Sequence, residues 1–461
     1  MQPVVTPEEM AAVDAAAPEP VEVLIGRAGA ATARAAVAML GGTYGRHVVV
    51  VAGKGNNGHD GRAAAERLRR HGVRVTVLDA AVVGAELPDA DLVIDAAYGT
   101  GFRGSYEAPD AGDAAVLAVD VPSGVAGLTG QVSGSPLAAD RTITFGAFKP
   151  GLLFHPGRAL AGEVEVADIG LDVSGARAGL VEAIDVAGWL PPRPPVAHKW
   201  QAAVLLVAGS RGMTGAAHLA AAAAQRAGAG MVRVASPGVG HDPGLPTEAV
   251  GLALDDTAEW DAALGESLDR AGALVIGPGL GREETTVAAV HRLVAAAHER
   301  AVLVDGDGLT ALGEGAGDAL RARSAPAVLT PHDGEYKRLA GHPPGDDRLD
   351  AARTLAAQTG AVVLLKGPTT VVAHPDGRAR VVIAGDQRLA TAGTGDVLSG
   401  AIGALLARGL DPFDAAAAGA WLHGTAALYG PAEGLVARDV VDGLPDALAE
   451  ARAAHTGETA T

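Results

Sequence analysis

The stretch "HVVVVAGKGNNGHDG", residues 47–61, runs from four consecutive valines into Gly53, Gly55 and Gly58, a G-x-G-x-x-G spacing. A β-branched run that enters a glycine turn and is followed by the helix-like "RAAAERLRRHG" reads as strand, turn, helix, the opening unit of a parallel α/β sheet. Asp79 ends the next strand-like run, "VRVTVLD", at about the distance where a dinucleotide fold places an acid on the ribose. By pattern alone this is a hydride-transfer fingerprint. The side chains argue otherwise: Asn56, Asn57, His59 and Asp60 crowd the turn, and Asp60 would repel a pyrophosphate held there. Such a turn suits hydroxyls, amides or a cation, although Asn and Asp also simply cap helix N–H groups.

Working outward, strand-like and helical runs alternate from 47 to about 170, with "DLVIDAAYGTG", "AVLAVDVPSG" and "TITFGAFKPG" as further strands. Upstream, "TPEEMAAVDAAA" opens with a Thr cap and an acidic first turn, a leading helix. "GWLPPRPPVAHKW", 188–200, has four prolines in five positions and reads as a polyproline linker. Alternation then restarts through "AAVLLVAGS", "MVRVASP", "ALVIGPGLG", "AVLVDGDGL", "PAVLTPHDGE" and "AVVLLKGPTTVVA". The expected class is α/β with two domains: a Rossmann-like, doubly wound sheet over 1–187 and a second α/β domain over 196–450. A flexible tail is expected at 451–461.

A chain of 461 residues is too long for one compact core. With 48% hydrophobic but only 3% aromatic residues, its cores must be built from Ala, Val and Leu. An excess of 54 acidic over 36 basic residues, net charge −18, disfavours nucleic acid and anionic membranes as partners. The absence of cysteine excludes disulfides, thiolate metal sites and thiol nucleophiles. The opening residues have no basic and apolar leader pattern, and no uninterrupted apolar run approaches about 18 residues. A cytoplasmic protein is expected.

In the second half, "ATAGTGDVLSGAIGALLARG", 390–409, leads Gly393, Thr394 and Gly395 into an apolar helix, where backbone amides converge on an anion. Asp396 stands in that first turn. A plain anion site is hindered by a carboxylate, but phosphoryl transfer needs one to orient and deprotonate the attacking hydroxyl. Read alone, Asp396 is equally an ordinary helix N-terminal acid. "LLKGPTTVVA" places Lys366 and Gly367 after a strand, "VIGPGLG" is a glycine-rich strand end, and "TPHDGE" sets His332 and Glu335 after another. All fall at successive strand ends, where open α/β sheets bind ligands.

These motifs, with "GSRGMTGAAHLAAAAAQRAGAGMVRV", resemble in order those of the ADP-dependent NAD(P)HX dehydratases of the ribokinase-like superfamily, over about 196–445. The resemblance implies nucleotide-dependent loss of water from C6 of hydrated NADH or NADPH (NADHX, NADPHX), with ADP giving AMP and phosphate. It implies that Lys366, Gly367, Pro368, Thr369, Thr370 and Gly395 hold the nucleotide, that Ala216, Gly279, His332 and Asp396 contact the hydrate, and that Mg2+ accompanies the nucleotide. Asp396, with an ordinary pKa of about 3.9, is expected to receive the proton late in transfer.

In the first half, Asp95 in "VIDAAYGTGFRG" and Asp120 and Ser123 in "AVDVPSG" also end strands. Asn57, Asp95 and Ser123 offer oxygens suited to a hard monovalent cation; taken singly, Asp95 or Asp120 is as readily a structural cap. With "GKGNNGHDG" and "TFGAFKPG" the set resembles NAD(P)HX epimerases over about 5–170, which interconvert the R and S hydrates. That resemblance implies potassium on Asn57, Asp95 and Ser123. It implies substrate contacts from Asn56, Asn57, Gly58, His59 and Asp60, from the loop Gly99, Thr100, Gly101, Phe102, Arg103, Gly104 and Ser105, and from Asp120. Asp120 is the candidate acid/base, with Lys149 behind it. His59 stands where the family has Gly, and Gly26 and Arg27 where it has an acid and an amide. The expectation is a bifunctional repair enzyme assembled as a homo-oligomer. The alternatives are a small-alcohol kinase of the ribokinase-like class, or a dehydratase with a silent N-terminal binding module.

Overall fold

The computed structural model describes residues 1–255 and 257–456, which divide into two compact units, Gln2–Gly179 and the chain from Leu180 onward. The division falls ahead of the proline-rich stretch, so 188–200 is not the boundary. The helix Ala183–Trp189 leads into it, Leu190 is buried in the second unit's core, and Arg408 donates to the Pro191 carbonyl at 2.9 Å. Nor is 451–461 a loose tail throughout, since the helix Ala437–Thr456 carries Val440, Leu444, Ala447 and Ala451 into the same core. Residues 457–461 lie outside the described part.

In the first unit six parallel strands lie in the order Arg74–Asp79, His47–Ala52, Leu92–Ala96, Ala115–Val119, Arg141–Phe145, Glu163–Ala167. Val48 to Val51 are all but inaccessible to solvent, as expected of a β-branched strand covered on both faces. The order reverses between His47–Ala52 and Leu92–Ala96, and a crevice opens at such a switch point. The helices Val21–Leu40 and Asn56–Arg70 pack closely because Gly29 has no Cβ, which would lie 2.5 Å from that of Ala63. Val21–Leu40 is long and apolar enough to cross a membrane, yet Leu24, Ala28, Ala31 and Ala36 are core residues of this unit. The leading helix Pro7–Ala16 forms as its sequence indicates: Thr6 Oγ1 accepts from the Glu9 N–H, and Glu9 returns a bond to the Thr6 N–H at 2.8 Å.

The second unit is a larger sheet in the order Ala379–Val382, Thr370–Ala373, Val362–Leu365, Ala327–Leu329, Ala301–Val304, Ala273–Ile276, Ala203–Val207, Met231–Ser236, Val250–Ala253. It is parallel from Val362–Leu365 onward; "AVVLLKGPTTVVA" folds back as an antiparallel pair, placing Lys366 to Thr369 in a turn. The alanine-rich helices Thr214–Arg226, Thr394–Ala407 and Pro412–Leu428 pack close around it, Gly400 lying where a Cβ would meet the Ala220 carbonyl at 2.1 Å. Small side chains thus allow a dense core with few aromatics.

Candidate active sites

In the second unit, Gly393 takes φ 91° and turns the chain into Thr394–Ala407. The amides of Thr394 and Gly395 have no acceptor within their own helix and face the start of its dipole. The Thr394 hydroxyl is committed to the carbonyls of Leu389 and Thr391 at 2.9 and 3.0 Å, so it braces the loop. Asp396 is half-buried, and burial, then the Asp305 charge, opposed by Lys366, push its carboxyl up to about 6. It is therefore a better base than its ordinary pKa suggested.

Around it, Lys366 Nζ bonds Asp305 Oδ1 at 2.8 Å and approaches Glu335 Oε2 at 3.6 Å. Asp305 is buried, which alone would raise its pKa, but Lys366, Ser399 and Thr330 outweigh burial and hold it below the usual range. A Cβ on Gly395 would be 3.8 Å from Lys366 Nζ and 4.0 Å from Asp305 Oδ2, which ties the anion cradle to this pair. Arg348 bonds the Lys366 carbonyl at 2.6 Å and stands beside Gly367. His332 caps the helix Asp333–Ala340, its Nδ1 accepting from the Gly334 and Glu335 amides, so its proton sits on Nε2, 3.4 Å from Glu335. Gly279, at φ 62°, lies against Ala216, and Gly277 in the same turn packs on the Asp305 carbonyl. The structure thus gathers Gly395, Asp396, Lys366 and His332, with the Ala216 and Gly279 pair joined through the Gly277 turn. Gly367 and Pro368 are exposed in the hairpin turn, Thr369 is buried, and Thr370 starts the strand paired with Val382. Asp305, Ser399 and Arg348 were not singled out in the sequence; Asp305, ending "VLVD", carries the same strand-end signal as its neighbours.

In the first unit a cavity of about 790 Å³ opens at the switch point, lined by Asn56, Asn57, Asp60, Gly99, Thr100, Gly101, Phe102, Asp120 and Lys149, among others. Asp120 is the only non-glycine residue with positive φ among those described, at 68°. Lys149 Nζ holds its Oδ1 at 2.8 Å, and the Thr100 N–H holds Oδ2 at 3.2 Å. Burial opposes ionisation, but Lys149, Thr100 and Thr144 overcome it and keep Asp120 below the usual carboxylate range. Asp60 is instead pushed up to about 8 by burial, then by the charges of Asp120 and Asp14, against Lys149.

Asp95 is buried and accepts from the Ser123 hydroxyl at 2.6 Å and its N–H at 2.8 Å; burial nevertheless raises its pKa. Both polar atoms of the buried Asn57 amide have no partner. A buried amide without a partner is costly, and together with the Asp95 and Ser123 oxygens it fits a potassium ion. Among the described residues no group of three or more His, Asp or Glu side chains is placed to hold a metal ion such as Mg2+.

Several expected contacts lie elsewhere. Gly58 does not line the cavity, because a Cβ there would lie 1.9 Å from the Gly53 carbonyl; it allows the turn to close. His59 is exposed on the outer side of its helix, and Arg103, Gly104 and Ser105 are exposed beyond the lining. Arg27 bonds the Ile169 carbonyl at 2.8 Å and pairs with Glu19, while Leu24, Ile25 and Ala28 of the same helix line the cavity. Asp14, which no local pattern marked, is delivered by the leading helix.

Two parallel α/β units with ligand groups at their strand ends, one carrying an amide-lined helix start and a raised carboxylate, define a ribokinase-like enzyme fused to a Rossmann-like one. The second unit shares its fold with a ribokinase-like superfamily protein of Enterococcus faecalis, TM-score 0.54 at 24% identity, covering 60% of this chain and 96% of that one. It is also similar to the ADP/ATP-dependent NAD(P)H-hydrate dehydratase of Bacillus subtilis, co-crystallised with ATP and Mg2+: TM-score 0.50, 32% identity, 59% of this chain and 98% of that one. A family model described as NAD(P)H-hydrate dehydratase matches residues 204–442, and one described as YjeF-related protein N-terminus matches 21–87 and 80–151. Bifunctional NAD(P)H-hydrate repair enzymes of Thermofilum pendens and Escherichia coli are 39% and 36% identical, over 93% and 83% of this chain and 92% and 80% of theirs. The chain belongs to the family of bifunctional NAD(P)H-hydrate repair enzymes.

Proposed function

We propose that the chain restores hydrated NADH and NADPH: its first unit interconverts the R and S epimers, and its second dehydrates the S form at the expense of ADP. The observation that carries this is Asp396, a carboxylate raised to about 6 in the first turn of an anion-binding helix. Asp396 takes the proton of the C6 hydroxyl as its oxygen attacks the terminal phosphorus of ADP, and AMP departs. Phosphate then leaves C6 with help from the ring nitrogen lone pair, and loss of a C5 proton completes the dihydropyridine. The first turn's amides, with the Gly367 to Thr370 turn, hold the phosphates, and Lys366 offsets the charge of Asp305 beside them.

In the first unit Asp120 is the base, and Asn57, Asp95 and Ser123 would hold potassium, whose positive charge would favour polar groups of the hydrate. Mg2+ would enter with the nucleotide, since it commonly binds through phosphates and few carboxylates. Homo-oligomeric assembly and a cytoplasmic site of action are part of the same reading. The test supplies mixed R and S hydrates with ADP and follows absorbance in the dihydronicotinamide band together with phosphate and AMP. Complete conversion is expected. A stable phosphorylated product would point to an alcohol kinase, and conversion of one epimer alone to a silent first unit.

A further inference from the structure

We infer that Asp60 is a second catalytic group of the first unit, the proton donor to the ring nitrogen of the hydrate, acting against Asp120 as base. This rests on the epimerase reading above.

Three carboxyls from separate elements line one cavity: Asp14 from the helix Pro7–Ala16, Asp60 from Asn56–Arg70, and Asp120 after Ala115–Val119. One buried ammonium serves them, and it is committed. Lys149 bonds Asp120 at 2.8 Å, Thr144 at 2.9 Å and the Phe145 carbonyl at 2.8 Å. Asp60, 7% exposed, receives no stabilising hydrogen bond, only burial and two like charges, so it keeps its proton near neutrality while Asp120 does not. The other charged groups of the lining are otherwise placed: Glu19 pairs with Arg27, Asp79 caps the Ala81 N–H, and Lys54 is exposed. Two acids whose environments drive them apart are the usual arrangement of an acid and a base.

The hydrate needs such a pair. C6 bears both a hydroxyl and the ring nitrogen, so it is a hemiaminal. Asp120 removes the hydroxyl proton, the oxygen electrons form a carbonyl, the C6–N bond breaks, and Asp60 gives its proton to the departing nitrogen. Rotation about C5–C6 presents the other carbonyl face. The nitrogen then attacks C6, returning its proton to Asp60, and the oxygen recovers the proton held by Asp120. No oxidant or co-reactant is consumed, and both side chains end as they began.

The experiment uses the intact chain with purified R hydrate and no ADP, separating epimers by chromatography and subtracting spontaneous exchange. Asp60→Asn, nearly isosteric and equally uncharged near neutrality, is expected to lower kcat at least about 10²-fold with KM within threefold. Asp60→Glu should recover tenfold or more over Asp60→Asn. Wild-type exchange should decline above about pH 8, and Asp14→Asn should move that decline to lower pH. Unchanged ADP-dependent turnover of S hydrate, and a melting transition of the first unit unchanged at pH 4, show that Asp60→Asn is folded. Exchange by Asp60→Asn within threefold of wild type overturns the inference alone; absence of exchange in the wild type overturns the epimerase reading and the inference with it.

Discussion

Lys366 Nζ stands 2.8 Å from Asp305 Oδ1, and the Ser399 hydroxyl closes the other oxygen of the same carboxylate at 2.7 Å. Asp305 is 3% exposed, so its charge depends on this lysine. Lys366→Met should destabilise the second unit by about 3–5 kcal/mol, read by denaturant unfolding, because it strands a buried anion. Adding Asp305→Leu should recover much of that loss, and failure to recover would mean that Lys366 acts mainly by other contacts.

Asp396 must be ionised to accept a proton, so dehydratase kcat/KM should fall as pH drops below about 6. Asp396→Asn should cost at least about 10²-fold in dehydration and leave nucleotide binding, followed by calorimetry, nearly intact. A profile flat down to pH 5 would remove Asp396 from this role.

Potassium should raise the melting temperature of the first unit relative to sodium or choline at equal ionic strength, since a ligand bound only to the native state stabilises it. Asn57→Ala should abolish that difference, because the unpartnered amide is the member of the site with no other bond to keep it in place.

Asp60 has a native pKa of about 8 against an ordinary 3.8. Between those values the folded chain holds a proton that the unfolded chain has lost, so stability is fully present below about pH 4 and declines as pH rises toward 8. Asp60→Asn removes this decline. At pH 9 the variant's first unit should melt higher than wild type by at least roughly 2–4 °C, an effect of about 1 kcal/mol, with little difference at pH 4. Equal pH dependence in both proteins would show Asp60 to be ionised throughout.

Gly58→Ala should unfold or severely destabilise the first unit, with lost thermal stability and lost epimer exchange together, since its Cβ would need to sit 1.9 Å from the Gly53 carbonyl. His59→Gly, on the exposed face, should leave both properties near wild type.

Most strands of both sheets were legible because β-branched runs buried on two faces leave an unmistakable pattern; the strand-end rule then pointed to Asp95, Asp120 and Lys366, and the glycine-led helix start to Asp396. The strands Glu163–Ala167, where acidic and apolar residues alternate, Val250–Ala253, short and largely exposed, and Ala379–Val382 were not foreseen. Position in the cavity was harder to read than position in the sequence. His59 and Asp60 are adjacent in the chain, yet the roughly 100° step between successive helix residues sends the first to solvent and the second inward. Asp14 reaches the same cavity from more than 40 residues upstream, a proximity that no local motif encodes. The raised carboxyls of Asp60 and Asp396 arise from burial and neighbouring charge, which exist only once the chain has folded.

The close approach at Gly53 and Gly58 also bears on how such chains are sorted by signature. A Cβ at Gly53 would strike the Ala97 carbonyl at the end of the neighbouring strand and one at Gly58 would strike Gly53 itself, so both glycines answer to a tight backbone seam at the strand ends. Any protein with that seam can display the triplet, whatever it binds. Sorting by the triplet alone would file this chain with redox enzymes, although the carboxyls of Asp14, Asp60 and Asp120 line its switch-point cavity.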